Sequence, residues 1–158
     1  MRIFAIDPGT TESGAVIYDT EAKQLCAIWP AIDNYDLLSM IGTTNAGEMA
    51  IEMVASYGMP VGREVFETCV WIGRFMQKFD GRAYPIYRRD VKLHLCGQPR
   101  AKDANITCAI KDRFGGESAV GTKKHPGPLY GVSKHAWAAL GVAITASENP
   151  VDTLTKAW

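Results

Sequence analysis

An apolar run, Ile3-Phe4-Ala5-Ile6, ends in a single carboxylate, Asp7, and is followed at once by Pro8 and Gly9. No other segment restricts the fold as tightly. The run has the length and character of a buried strand, Pro-Gly makes a tight turn, and Gly14-Ala-Val-Ile-Tyr18 follows as a second apolar strand. A lone acid at the end of a core strand is costly to bury unless something cationic meets it. A divalent metal is the usual partner. The competing reading is an Asp that merely caps the turn through its own backbone.

The chain has 158 residues, enough for one domain with a single core, and its 47% hydrophobic and 22% charged content is that of a soluble globular protein. It contains no apolar run of transmembrane length. The opening Met-Arg-Ile-Phe-Ala-Ile-Asp lacks a signal-peptide h-region and cleavage site, so the expected location is the cytoplasm. Cys26, Cys69, Cys96 and Cys108 are widely spaced without a C-x-x-C pair, which argues against structural zinc and a disulfide framework. His94 and Cys96 are too few for a tetrahedral site. The formal net charge is zero, yet from Arg82 to Lys124 ten basic residues face four acidic ones. That asymmetry predicts a cationic face for an anionic partner, beside an acidic region that attracts metal.

Strands are expected near 2–7, 14–19 and 25–30, then a helix over 34–41. Met49-Ala-Ile-Glu52-Met-Val-Ala55 reads as an apolar fourth strand with an embedded acid. A long helix around 63–78 carries Phe66, Cys69, Val70, Ile72 and Met76 at helical spacing. A short strand over 83–87 precedes a short helix over 89–95. Asp103 is placed to cap the next helix, which ends near Phe114-Gly115-Gly116. A Gly-, Lys- and Pro-rich loop leads to a last helix from Ser133 to about Ser147, apolar on nearly every side and so destined to pack on a sheet. Three antiparallel strands, then strands alternating with helices, define an α/β mixed sheet with helices on its faces. The whole chain, 1–158, reads as one domain with a peripheral tail over 148–158.

Three of these elements carry anomalous polar residues: Asp7 on the first strand, Glu52 on the fourth, and His135 in the first turn of the apolar last helix. Together they form a candidate metal cluster. With these residues in view, the chain resembles the RuvC-type Holliday-junction resolvases of the RNase H-like superfamily, above all the small phage-encoded members. The resemblance spans roughly residues 2–146. It rests on Ala5-Ile-Asp7-Pro-Gly-Thr, Ile51-Glu52-Met, Arg89-Asp-Val-Lys92, Ala101-Lys102-Asp-Ala and His135-Ala-Trp-Ala138-Ala-Leu-Gly-Val-Ala. It implies an RNase H-like fold in which Asp7 and Glu52 are the strand-borne catalytic acids. His135 then matches the first of two ligand positions, three residues apart, on the final helix. The second falls on Ala138, where the family normally has an aspartate.

The implied chemistry is hydrolysis of a DNA phosphodiester with Mg²⁺, and Mn²⁺ is expected to support activity because an imidazole suits it better. Two-metal hydrolysis needs ligands that hold two cations about 3.5–4 Å apart. Asp7, Glu52 and His135 supply only three, with Asp103 or Glu67 as possible replacements for the missing acid. The resemblance places Lys92 and Lys102 near the scissile phosphate or junction arms. Arg88, Arg89, Arg100, Lys123 and Lys124 are further DNA-binding candidates, and Tyr57 stands in for an aromatic that some members place shortly after the strand glutamate.

A four-way junction needs two matched nicks, so a homodimer is expected, with Phe66, Val70, Trp71 and Phe75 of the long helix as the candidate interface. No membrane and no nucleotide cofactor are implied. Three alternatives remain open at this point. One is a junction-binding protein without cleavage, motivated by Ala138. Another is a YqgF-like RNase H-fold nuclease acting on RNA. The third is an ATPase of the sugar-kinase/actin class, for which the chain lacks both a second domain and a second Asp-Gly loop.

Overall fold

A computed structural model describes residues 1–149. Five strands form one mixed sheet: β1 (Arg2–Asp7), β2 (Glu12–Asp19), β3 (Gln24–Asp33), β4 (Glu48–Met53) and β5 (Arg82–Tyr87). Their order is β3-β2-β1-β4-β5. The β1–β2 and β2–β3 pairs are antiparallel, whereas β1–β4 and β4–β5 are parallel. The helices are α1 (Asn34–Ile41), α2 (Arg63–Lys78), α3 (Arg88–Cys96), α4 (Asp103–Arg113) and α5 (Ala136–Glu148), with a 3₁₀ turn at Glu117–Ala119.

Alternation along the strands sorts the core into two layers. Phe4, Ile6, Ala15, Met49 and Ile51 face α1 and α2, where Leu37, Trp71, Ile72 and Phe75 complete the layer. Ile3, Ala5, Val16, Ala50, Tyr84 and Ile86 face the other way, onto α5 and the inner sides of α3 and α4. Asp7 shares the parity of Ile3 and Ala5, and Glu52 shares that of Ala50. Both acids therefore belong to the α5 side of the sheet. Because β1, β4 and β5 run parallel, their carboxyl ends open at one edge, the place where α/β sheets present ligands.

The expected helix-on-sheet packing holds for α5, in which Ala139, Leu140, Val142, Ala143 and Ile144 are all buried. Gly141 lets α3 come close to α5: a Cβ there would lie 3.2 Å from a methyl of Val91 and 3.4 Å from one of Leu95. Several boundaries differ from expectation. β3 continues to Asp33, whose carboxylate then accepts from the Tyr35 and Asp36 N–H groups to start α1. Asp103 is not the cap of α4. Lys102 occupies that position, and the Asn105 side chain accepts from its N–H at 2.9 Å. His135 is the N-cap residue of α5 rather than part of its first turn. The expected peripheral tail lies, from residue 150 on, outside the described residues. Its first two residues belong to the last helix and its cap, where the Asn149 amide donates to the Thr145 carbonyl at 2.8 Å. Among the described residues, no helix is long and apolar enough to cross a membrane.

Candidate active site

Asp7 ends β1 opposite Gly14 of β2. The turn that follows is held by other residues. Gly9 N–H donates to Ser13 Oγ at 3.2 Å, Ser13 Oγ donates to Asn34 Oδ1 at 2.6 Å, and the Asn34 amide donates to the Gly9 carbonyl at 2.9 Å. Ser13 and Asn34 are fully buried. Their closed set of bonds holds the turn, so the Asp7 carboxylate is left to point at the site. Neither residue was foreseeable from local pattern, because their partnership spans 21 positions of chain.

The partner of Asp7 is His135, whose Nδ1 lies 3.2 Å from Asp7 Oδ2, within hydrogen-bonding distance. Gly14 makes that meeting possible. A Cβ at residue 14 would fall 2.4 Å from the Cβ of His135 and 2.5 Å from its carbonyl carbon, inside any real contact. The bare backbone of β2 thus receives the start of α5 and sets the imidazole over the end of β1. The other ring nitrogen, Nε2, faces outward, 3.9 Å from Glu12 Oε1.

Glu52 lies at the end of β4 with only 9% of its side chain exposed. Arg88, the first residue of α3, turns back from the end of β5 to meet it. Its Nη1 donates to Glu52 Oε1 at 2.9 Å and Oε2 at 3.1 Å, while Nη2 donates to Asp103 Oδ1 at 2.5 Å. One guanidinium thus joins an acid from the sheet to an acid from α4. Asp7, Arg88, Asp103, Thr107, His135 and Ala138 line a common pocket of 370 Å³. Lys134, in the left-handed region at φ 47°, also lines it.

Both strand acids resist ionisation. Burial raises the Asp7 carboxyl above its ordinary value, against the opposing pull of His135 and Arg88. Burial, and then the charge of Asp7, push Glu52 up to about 7, with Arg88 opposing. The charge of Asp7 contributes to the rise of Glu52, so the two acids are electrostatically linked, although Glu52 does not line the pocket that Asp7 lines. An anionic cluster that its own cations do not fully neutralise is a setting in which perturbed acids mark a functional site.

The basic residues divide. Arg88, Arg89, Lys92 and Arg100, with Tyr57 and Pro99, line a second pocket of 490 Å³. Arg88 is common to both pockets, so the cationic one adjoins the acidic one. Lys102 is exposed beside Asp103, and Lys123 and Lys124 lie on an exposed loop that lines neither pocket. Glu67 is elsewhere: it pairs with Arg63 at 2.5 Å and lines a pocket with Tyr35 and Trp71, so it does not compensate for Ala138.

No protein-family model and no curated protein sequence matches the chain. Solved structures do. The structure of Thermus thermophilus RuvC superposes with a TM-score of 0.64 over 92% of both chains, at 18% identity. T. thermophilus RuvC in complex with Holliday junction substrate gives 0.62 over the same shares, at 16% identity. The chain has a RuvC-like fold. Its sheet and helices are accordingly RNase H-like, as the sequence resemblance implied, while the likeness to phage members in particular stays a matter of sequence.

Carboxylate oxygens with one imidazole suit Mg²⁺ and Mn²⁺, and a buried acid such as Glu52 is costly to ionise without a cation beside it. The set fits. Among the described residues, however, no three His, Cys, Asp or Glu side chains already stand together as a ready cage. Arg88 lies between Glu52 and Asp103.

Proposed function

We propose that this protein is a metal-dependent endonuclease that cuts branched DNA, resolving four-way junctions by paired phosphodiester hydrolysis. The observation that carries the reading is the juxtaposition, at the carboxyl ends of parallel strands in a RuvC-like fold, of an under-neutralised acidic pocket and a cationic one sharing Arg88. A RuvC of the same fold has been seen with a Holliday junction substrate.

Asp7, Glu52 and His135 would hold the divalent ion. Bound there, Mg²⁺ or Mn²⁺ would supply Lewis acidity and positive charge to the phosphodiester transition state. The residues of the chain do the rest. Arg89, Lys92 and Arg100 bind backbone phosphates as part of a salt-sensitive grip, and Tyr57 offers an exposed ring beside them for a base. Lys102, Lys123 and Lys124 extend the cationic track. With Nδ1 facing Asp7, His135 keeps Nε2 for the ion.

Matched nicks call for a two-fold homodimer. The interface proposed on α2 narrows to Phe66 and Val70, which are 64% and 63% exposed, because Trp71 and Phe75 are spent in the core. The protein would act in the cytoplasm, that of the host if it is phage-encoded.

The test is incubation of synthetic four-way, flap and linear duplexes with protein and Mg²⁺ or Mn²⁺. Asp7→Asn should abolish cutting while junction binding persists in a mobility-shift assay. Ala138 favours one other reading, a junction binder that does not cut. Tight junction binding by the wild type with no product in either metal would select it.

A further inference from the structure

Position 138 lies in the wall of the acidic pocket, half-buried, and carries only a methyl group. The pocket has nevertheless acquired an acid from another direction. Asp103, the first residue of α4, lines the same cavity as Asp7, His135 and Ala138, with its side chain largely exposed at the rim.

Two independent features give Asp103 a purpose there. Its carboxylate is not consumed in starting α4, because Asn105 caps Lys102. It is instead tied through the Arg88 guanidinium to Glu52. The two nitrogens that these acids grip hang from one carbon, so Glu52 and Asp103 are already held a single cation apart.

Resting on the nuclease reading above, we propose that Asp103 is the fourth protein ligand of the divalent-ion site, delivered by α4 in place of the acid that α5 lacks at Ala138. Arg88 holds the two carboxylates together in the metal-free protein. It also lines the neighbouring basic pocket with Arg89, Lys92 and Arg100, where a DNA phosphate offers it another anion. An acid on α4 and an acid on α5 are thus alternative routes to one coordination position.

The test is Mn²⁺ titration of the DNA-free protein, read by calorimetry and by electron paramagnetic resonance of the unbound ion. Asp103→Asn should weaken Mn²⁺ binding about tenfold or more, the scale on which disturbing a metal site is felt. Asp112→Asn removes an acid from the same helix outside the pocket and should leave binding unchanged. Adding Ala138→Asp to Asp103→Asn should restore affinity. Should Asp103→Asn fail to unfold cooperatively, Asp103→Ser keeps an oxygen at the start of the helix and serves instead. Wild-type affinity in the Asp103 variant overturns the proposal, and so does weakening that Ala138→Asp does not rescue. Asp7→Asn separates the two levels. If it abolishes Mn²⁺ binding while Asp103→Asn does not, only the role of Asp103 is lost; if neither variant alters binding, the metal site and the nuclease reading fail together.

Discussion

At its N-terminal end, α5 sets His135 against Asp7, with Glu52, Asp103 and Arg88 alongside; at its C-terminal end, Glu148 meets His94 and Arg113. The residue types are the same, and the electrostatics are opposite. Arg113 Nη1 donates to both Glu148 oxygens, at 2.6 and 2.8 Å, and His94 Nε2 lies 2.7 Å from Oε2. Burial works to raise the Glu148 carboxyl, but the His94 hydrogen bond and Arg113 outweigh it and leave it lowered. One acid there has an arginine to itself. At the other end three acids share Arg88, and Asp7 and Glu52 are raised. A His–acid–Arg cluster is therefore not a functional signature in itself. What separates a structural clamp from a reactive site is the ratio of acids to resident cations, together with their burial.

Removing an acid should consequently do opposite things at the two ends. The largest effect is expected for Asp7→Asn: a loss of cleavage of about a hundredfold or more, the scale of deleting a principal transition-state stabiliser, with no loss of metal-free stability. Single-turnover cleavage and urea unfolding in EDTA measure the two halves.

Glu52 gives the next largest effect, through pH. Its folded carboxyl titrates near 7 against an ordinary 4.5. The folded state therefore holds a proton that the unfolded state has released between those values, and metal-free stability should fall as pH rises from about 4.5 to 7. The full shift corresponds to roughly 3 kcal/mol as an upper bound. Glu52→Gln should flatten that slope in unfolding curves taken in EDTA. Saturating Mn²⁺ should flatten it too if Glu52 is a ligand.

Arg88→Gln follows. It strips the shared cation from three acids, and should destabilise the metal-free protein by about 1–3 kcal/mol, or roughly 2–10 °C in melting temperature for a chain of this length. Mn²⁺ should then raise the melting temperature of the variant more than that of the wild type. An equal rise in both would show that the guanidinium does not stand in for the ion.

The same contrast explains which parts of the molecule could be read from sequence. Strands β1, β2 and β4 and helices α1, α2 and α5 announce themselves through local apolar runs and periodicity, as do Asp7 and Glu52, acids with no packing reason to sit on core strands. Local pattern could not show where Asp103 points, because its place depends on how α4 packs against α5 through Ile106 and Gly141. The hold of Ser13 and Asn34 on the first turn is equally non-local. Arg88 could be read as a basic residue beside DNA, but its grip on Glu52 depends on parallel pairing of β4 and β5, with Glu52 opposite Ile86 two residues before it. The His94–Glu148 clamp joins residues 54 apart and left no trace in the pattern.

That clamp supplies the smallest effect and the sharpest control. Because the folded carboxyl of Glu148 lies below its ordinary value, its contribution to stability is present above pH 4.5 and disappears as pH falls through the folded value. This is the reverse of Glu52, whose cost appears as pH rises. Glu148→Gln should therefore cost up to about 1 kcal/mol at neutral pH, the worth of a partly exposed ion pair, and nothing in strong acid. Cleavage and Mn²⁺ affinity should be unchanged, since α5 is anchored along its length by buried residues rather than by its last turn. Equilibrium unfolding at pH 3 and pH 7, beside the cleavage assay, checks all three. A fall in cleavage with Glu148→Gln would mean that strain at one end of α5 reaches His135 at the other, and the two clusters would then have to be treated as one coupled system.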